Sequence, residues 1–106
     1  MNATNLEIAE RAIARAKNGI NHSPTLKART SARNAITVME TALERMKATD
    51  PARSEAALGT LLHYARVTTA RAAGASVDAV IAAVTVERDA QARDRAELGA
   101  IEGAPS

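Results

Sequence analysis

The chain has 106 residues, of which 46% are apolar and 25% are charged, and its net charge is +2 at neutral pH. This length predicts one domain, residues 1–106, with a small core. The absence of cysteine excludes a disulfide framework, a thiol nucleophile and a cysteine-based zinc site. No apolar run approaches the roughly 18 residues of a membrane-spanning helix, and the first ten residues do not resemble a signal peptide. We therefore expect a cytoplasmic protein that contacts no membrane.

Alanine dominates the apolar residues. The 26 alanines outnumber all Leu, Ile, Val and Met residues, which total 22, and Tyr64 is the only aromatic residue. Alanine has the highest helix propensity, but it buries little area. This composition predicts an all-α fold of modest stability as a monomer, to which formation of a homodimer would add apolar burial.

The first predicted helix is the shortest and covers about residues 5–18. Thr4 and Glu7 have the spacing of a capping box, and Asn18-Gly19 is a typical helix end. Between these signals, apolar residues recur at intervals of three and four, which places them on one helix face. They are Leu6, Ala9, Ile13, Ala16 and Ile20.

Three later signals predict three long helices. Ser and Asp cap the free N–H groups of a first turn, Pro fits inside that turn, and Gly ends a helix. The signals are Ser23-Pro24, Asp50-Pro51 and Gly74-Ala75-Ser76, and the helices they predict cover about residues 24–47, 51–73 and 77–98. Similar lengths and short turns favour a small antiparallel helical bundle, and residues 99–106 are predicted to form a frayed tail.

Each long helix has an apolar stripe at helical spacing, which predicts the face that it buries. The stripe of the last helix begins with Val77, Val80, Ile81 and Val84, and it stops at Val86. The stripes of the two preceding helices contain Ala28, Ala32, Ala35, Ile36, Met39, Ala42, Leu43 and Met46, then Ala57, Leu58, Leu61, Leu62, Ala65, Thr68 and Ala72.

Residues 87–97 contain no large apolar side chain. Asp89 with Arg93, and Arg93 with Glu97, have the i,i+4 spacing that supports an exposed helix. We expect this segment to project into solvent or to contact a partner chain. Arg88, Gln91 and Arg95, together with Tyr64 of the preceding helix, are the candidate interface residues.

Positive charge is concentrated in the first half of the chain. Residues 1–53 contain nine Lys and Arg against five Asp and Glu, whereas residues 54–106 contain five against seven. Residues 11–33 contain no acidic residue. A solvated basic face is the commoner explanation of such a cluster, and contact with nucleic acid or with an acidic protein are the alternatives. The candidate residues are Arg11, Arg15, Lys17, Lys27, Arg29 and Arg33.

The break at Gly74 has the steric pattern of a helix-turn-helix, with Ala70 and Val80 at its small and apolar positions. The following helix has no basic group to read base edges, and Asp78 would repel phosphate. A glycine-capped corner between two helices is therefore the favoured interpretation. His22 and His63 do not have metal-ligand spacing, so we expect no metal or other cofactor.

The stretch Asp50-Pro-Ala-Arg53-Ser-Glu55, with Glu87-x-x-x-Gln91 on the last helix, resembles the C-terminal half of the small helical chorismate mutases. The resemblance implies a dicarboxylate site made by Arg53, Glu55 and Gln91. The sequence departs from the family pattern because Ser54 separates Arg53 from Glu55 and no clear counterpart of the active-site lysine is present.

No reactive constellation emerges from these patterns, so the sequence favours a non-catalytic protein that binds a macromolecule. A protein partner, including a second copy of the chain, is the main hypothesis. A small regulator or inhibitor of the kind carried by phages and plasmids matches this size and composition. Nucleic-acid binding through residues 11–33 and a small helical enzyme are the alternatives.

Overall fold

The computed structural model describes residues 3–48 and 51–102, and the side chains of residues 4–48 and 54–98. These residues form a bundle of four helices, which confirms the predicted fold class. The helices are α1 (Ala3–Ile20), α2 (Leu26–Ala48), α3 (Pro51–Ala72) and α4 (Val77–Glu102). The α2–α3 contact is the most extensive, α1 packs on both, and α4 packs on α3 and α1. None of the helices, over the residues described, combines the length and apolar character needed to span a membrane.

Two helix starts match the sequence signals, and one is displaced. α3 begins at Pro51, as predicted, and Ser76 Oγ caps α4 by accepting a hydrogen bond of 3.3 Å from the Ala79 N–H. α2 begins at Leu26 because Thr25, rather than Ser23, is its cap: Thr25 Oγ1 accepts a hydrogen bond of 3.0 Å from the Ala28 N–H. The hydroxyl two residues further along the chain therefore sets the start of α2.

The other helix ends differ from their predicted positions: α2 ends one residue later, at Ala48, and α3 ends one residue earlier, at Ala72. α1 starts at Ala3, so Thr4 lies inside the first turn, and the helix continues through Gly19 to Ile20. α4 continues to Glu102 instead of ending at residue 98. Residues 103–106 of the predicted tail lie outside the described residues.

The buried apolar core belongs to α1, α2 and α3. Its large side chains come from the stripes predicted for these helices, apart from Ile8, which fills the same face of α1. Of the described residues of α4, Leu98 packs against this core and is partly buried, and Ala90 is buried outside the main cluster. The fully and nearly fully buried large side chains are Ile8, Ile13, Ile36, Met39, Met46, Leu58, Leu61 and Leu62.

The predicted core stripe of α4 is wrong for Val77 and Ile81 and partly correct for Val80 and Val84. Val77 is 71% exposed, Ile81 is 59% exposed and Val86 is 69% exposed, whereas Val80 and Val84 are half-buried. We refer to residues 77–86 as the apolar half of α4 and to residues 87–98 as its charged half. The apolar half has several of the most exposed aliphatic side chains in the described part of the chain.

The length of α1 explains the exposure of Val77 and Ile81. α1 and α4 are antiparallel, and Arg15 of α1 lies opposite Glu87 of α4. α1 ends five residues later, at Ile20, which is roughly 7–8 Å along a helix axis. The part of α4 that precedes about residue 82 therefore extends past the end of α1, and its side chains have no facing helix on that side.

Candidate functional site

The charged half of α4 docks on α1 through a buried polar cluster centred on Arg15. The Arg15 guanidinium donates two hydrogen bonds to Glu87, from Nε to Oε1 at 2.9 Å and from Nη2 to Oε2 at 3.0 Å. A third bond, from Nη1, reaches Asp94 Oδ2 at 2.6 Å. A planar fork donating two parallel bonds to one carboxylate is the strongest ion-pair geometry that arginine offers. It fixes the position of α4 along α1.

Arg11 extends the cluster to the protein surface. Its Nη1 atom lies 3.3 Å from Asp94 Oδ1 and 3.4 Å from Glu97 Oε1, and its Nε atom lies 3.5 Å from Glu7. Asp94 is therefore shared between the two arginines, which are four residues apart on the same face of α1. The outer contacts are exposed and contribute little by themselves.

Gln91 connects the cluster to α3. Its side-chain amide donates one hydrogen bond of 3.1 Å to the main-chain oxygen of Leu62 and a second of 2.9 Å to Glu87 Oε2. Gln91 is buried, so it does not lie on the surface where the sequence placed it as an interface candidate. Its amide holds Glu87 in the orientation that receives Arg15.

The cluster removes two carboxylates from water and neutralises them locally. The side chains of Glu87 and Asp94 are 6% and 5% exposed, whereas that of Arg15 is 27% exposed. The hydrogen bond to Glu87, and then that to Asp94, raise the pKa of the Arg15 guanidinium despite its partial burial. The hydrogen bond to Asp94 is likewise the main reason that the pKa of Arg11 is raised. Two cations and two buried anions therefore balance at the contact between α1 and α4.

This burial corrects the expectation that residues 87–97 either project into solvent or contact a partner chain. Their inner face contacts α1 and α3, and only their outer face is exposed. The missed signal was the spacing of Glu87, Gln91 and Asp94, which are i, i+4 and i+7 and therefore share one helix face. Arg11 and Arg15 have the matching i, i+4 spacing on α1.

A cleft lies next to the cluster, where α1 ends. Its volume is about 390 Å³, and it lies between the end of α1, the last turns of α3 and the apolar half of α4. Small side chains such as Ala16, Ala72 and Ala83 form much of its wall, Val86 lies at its edge, and Arg15 and Glu87 also line it. The two charged groups are paired to each other, so the free surface of the cleft is mainly apolar.

The structure divides the six basic candidates into two groups. Arg11 and Arg15 pair with α4, and Lys17 lies 3.1 Å from Glu40 of α2. The other three are on the first turns of α2, and none of the ion pairs in the described part of the chain includes them. These three are Lys27, Arg29 and Arg33.

The remaining interface candidates have ordinary bundle-edge environments. Tyr64 is half-buried against the core, and its ring contacts that of His63 edge-on, with centroids 5.3 Å apart. Arg88 and Arg95 are exposed on the outer face of α4.

The residues of the enzyme alternative do not share one described surface. Glu55 is exposed, Gln91 is buried against Leu62 and Glu87, and the side chain of Arg53 lies outside the described residues. Arg15 and Glu87, the charged residues lining the cleft, are already paired to each other. No protein-family model matches the chain, and no curated protein or solved structure is significantly similar to it.

Proposed function

We propose that this protein is a non-catalytic protein-binding module, a small regulator or inhibitor, and that the apolar half of α4 is its contact surface. The observation that carries the proposal is the exposure of Val77 and Ile81, which are four residues apart and so share one face of α4, while Val86 is exposed on another face, beside the cleft. Single exposed aliphatic residues are common, but a group of them on a surface is typical of an interaction site.

The apolar half has an unusual composition for an exposed helix. Residues 79–84 are all Ala, Val or Ile, and Asp78 is the only charged residue between Val77 and Val86. A helix that is apolar all round is normally covered on several sides, whereas here α3 is the main helix beside it. Complete burial of an exposed Val or Ile side chain contributes roughly 1.5–3 kcal/mol, so a partner that covers these residues gains a useful part of its binding energy.

The charged half prepares this surface for binding. Because Arg15 fixes Glu87 directly after the apolar half, the helix is held in place before a partner arrives. Ordering a surface during binding costs affinity, and a surface that is already ordered avoids that cost. The polar anchor and the apolar contact surface thus lie on consecutive turns of one helix.

Capture of partners from a host lysate, followed by mass spectrometry, tests the proposal. The wild type is compared with Ile81→Asp and with the matched control Leu26→Asp, because Leu26 is 74% exposed on a different helix. We expect at least one protein to be retained by the wild type and by Leu26→Asp but lost by Ile81→Asp. Equal retention by all three proteins would show that the apolar half is not the contact surface.

Nucleic-acid binding is a second candidate, favoured by the first turns of α2. Lys27 and Arg33 are exposed without a described carboxylate partner, and Arg29 Nε is buried without a hydrogen-bond acceptor. α2 also has no acidic residue in its first turn, so its N-terminus is electropositive.

Electrophoretic mobility shifts at low and high salt test this candidate. Binding through phosphate contacts weakens steeply as salt concentration rises, and we expect the double variant Lys27→Glu, Arg33→Glu to abolish it. The matched control is Arg93→Glu with Arg95→Glu, which changes the same charge on α4. Absence of any shift at low salt, with both DNA and RNA, would eliminate this candidate.

A further inference from the structure

The α4 helix is attached to the bundle in a way that suits exchange between two chains. The apolar core cluster contains no residue of α4 among those described, and Leu98 packs only at its edge. Removing α4 from the bundle therefore leaves the α1–α3 core nearly intact. On leaving, α4 loses the polar cluster of Arg15, Glu87, Gln91 and Asp94, together with the burial of Ala90 and the partial burial of Leu98.

The polar cluster fixes where α4 docks on α1, but it does not require that both helices belong to the same chain. Its partners are far apart in sequence, since Arg15 and Glu87 are separated by 72 residues. An α4 helix from a second copy carries the same Glu87, Gln91 and Asp94, so it can form the same bonds with Arg11 and Arg15. Charge complementarity at this contact is therefore equally satisfied within a chain and between chains.

The link between α3 and α4 is a short turn that one glycine permits. α3 ends at Ala72, α4 begins at Val77, and Gly74 between them has a φ of +90°. A Cβ atom on Gly74 would lie 3.1 Å from Pro24 Cγ, which is a tight contact. The folded-back turn thus depends on the conformational freedom of glycine, whereas the neighbouring Ala73, Ala75 and Ser76 all tolerate a helix.

The apolar half of α4 directly follows this link. When two chains exchange a terminal helix, they cross at the link, and the segments beside it become neighbours. Those segments here would be the two copies of residues 77–86, which include the exposed Val77 and Ile81. Because the apolar half lies next to the turn rather than at the far end of α4, an exchanged dimer would give it a covering surface that the single chain lacks.

We propose that the partner of the apolar half is a second copy of this chain, and that the two copies exchange α4. Each α4 docks on the Arg11 and Arg15 side chains of the other copy, and the two apolar halves cover each other where the chains cross. This inference rests on the proposed function, because it names the partner of the same surface.

Mixing two charge-reversed proteins tests the exchange. One carries Arg11→Glu with Arg15→Glu, and the other carries Glu87→Arg with Asp94→Arg. Alone, each places like charges at every α1–α4 contact, so each has a lowered melting temperature. In an exchanged heterodimer one contact has the original charges and the other has both signs reversed, so we expect the mixture to melt higher than either protein by about 5 °C or more. A mixture that melts as the sum of its components overturns the proposal.

Chemical crosslinking gives a readout that leaves the Arg15 pairs in place. Because the chain contains no cysteine, a variant with Arg11→Cys and Glu97→Cys carries only these two thiols, and the two positions face each other across α1 and α4. A short bis-maleimide then joins two chains in an exchanged dimer and one chain to itself otherwise. We expect a covalent dimer on a denaturing gel, at a yield that rises with protein concentration. The two single-cysteine variants are the controls.

The variant Gly74→Ala should shift the equilibrium from the monomer towards the exchanged dimer. A left-handed conformation costs a residue with a Cβ atom about 1–2 kcal/mol, and this cost destabilises the monomer, in which the turn is folded back. We therefore expect the association constant of the dimer to rise about tenfold or more. The control is Gly59→Ala, because a Cβ atom on Gly59 meets nothing within 4 Å. Sedimentation analysis measures both variants against the wild type.

Two results overturn the exchange while separating it from the proposed function. If the wild type and Gly74→Ala both remain monomeric, the second copy is not the partner, and the capture experiment with Ile81→Asp still decides whether another protein is. If the protein dimerises but the crosslinks stay within one chain, α4 is not exchanged, and ordinary self-association remains.

Discussion

The two halves of α4 have opposite compositions and opposite environments. The apolar half, residues 77–86, exposes Val77, Ile81 and Val86, whereas the charged half, residues 87–98, buries Glu87, Gln91 and Asp94. Hydrophobicity alone predicts the reverse. The difference lies in what faces each half: Arg11 and Arg15 of α1 face the charged half, and α1 ends before it can cover the first turns of the apolar half. Burial in a small bundle is thus decided by the length and the charges of the facing helix.

Replacement of Arg15, which anchors the charged half, should cause the largest loss of stability. Replacement by Met leaves Glu87 and Asp94 buried with most of their hydrogen bonds lost, so we expect a loss of about 3 kcal/mol in the free energy of unfolding. Urea denaturation followed by circular dichroism measures it. The control Arg95→Met removes an exposed arginine from the charged half and should change stability by less than about 0.5 kcal/mol. Equal effects of the two substitutions would mean that the Arg15 cluster does not hold α4.

Replacement of Gln91 should have an intermediate effect. Gln91→Met keeps the size of the side chain but removes the hydrogen bonds to Leu62 and Glu87, and we expect a loss of about 1–2 kcal/mol. The same denaturation experiment measures it, with the exposed Arg93→Met as its control. An increase in stability would indicate that apolar packing at this position is worth more than the two hydrogen bonds.

Introducing charge into the apolar half should have a small effect on the folded chain. Because Ile81 is 59% exposed, we expect Ile81→Asp to lower the free energy of unfolding of the monomer by no more than about 0.5 kcal/mol. Measurement at low protein concentration avoids any contribution from association. A loss of several kcal/mol would mean that Ile81 packs against the core and that the apolar half is not an exposed surface.

The stability that the contact between α1 and α4 contributes should not change in moderately alkaline solution. The pKa of Arg15 is raised by Glu87 and Asp94, so its contribution to stability is complete below the ordinary pKa of arginine and is lost only as pH rises through the raised pKa. We therefore expect the stability difference between wild type and Arg15→Met to be the same at about pH 8 and about pH 10. A difference that shrinks over this interval would indicate that another, titrating group contributes to the contact.

The sequence predicted α1, α2 and α3 well because their buried faces are apolar. Apolar residues recur at helical spacing in these helices, and the hydrophobic effect is enough to predict that they are buried. Examples are Ile36, Met39, Leu58 and Leu61. Asp50-Pro51 and Ser76 also marked helix starts in the predicted places, although Thr25 replaced Ser23 as the cap of α2.

The position of α4 was not predictable from the same criterion. Its buried residues are polar, and they become stable in the interior only when Arg11 and Arg15, more than 70 residues earlier in the chain, lie opposite them. A helix read on its own gives no sign of such a partner. The matching spacings of the two sets of charges were present in the sequence, but only knowledge of which helices are neighbours gives them meaning.

The small contribution of α4 to the apolar core also has a consequence for local unfolding. Proteins open in parts, and regions with few buried apolar contacts open at a lower free energy than the whole molecule. Since the core lies within residues 8–65, α4 can leave and return while the other three helices stay folded. Its backbone amides should exchange their hydrogens with solvent before those of α2 and α3, which makes α4 the least protected unit of the chain.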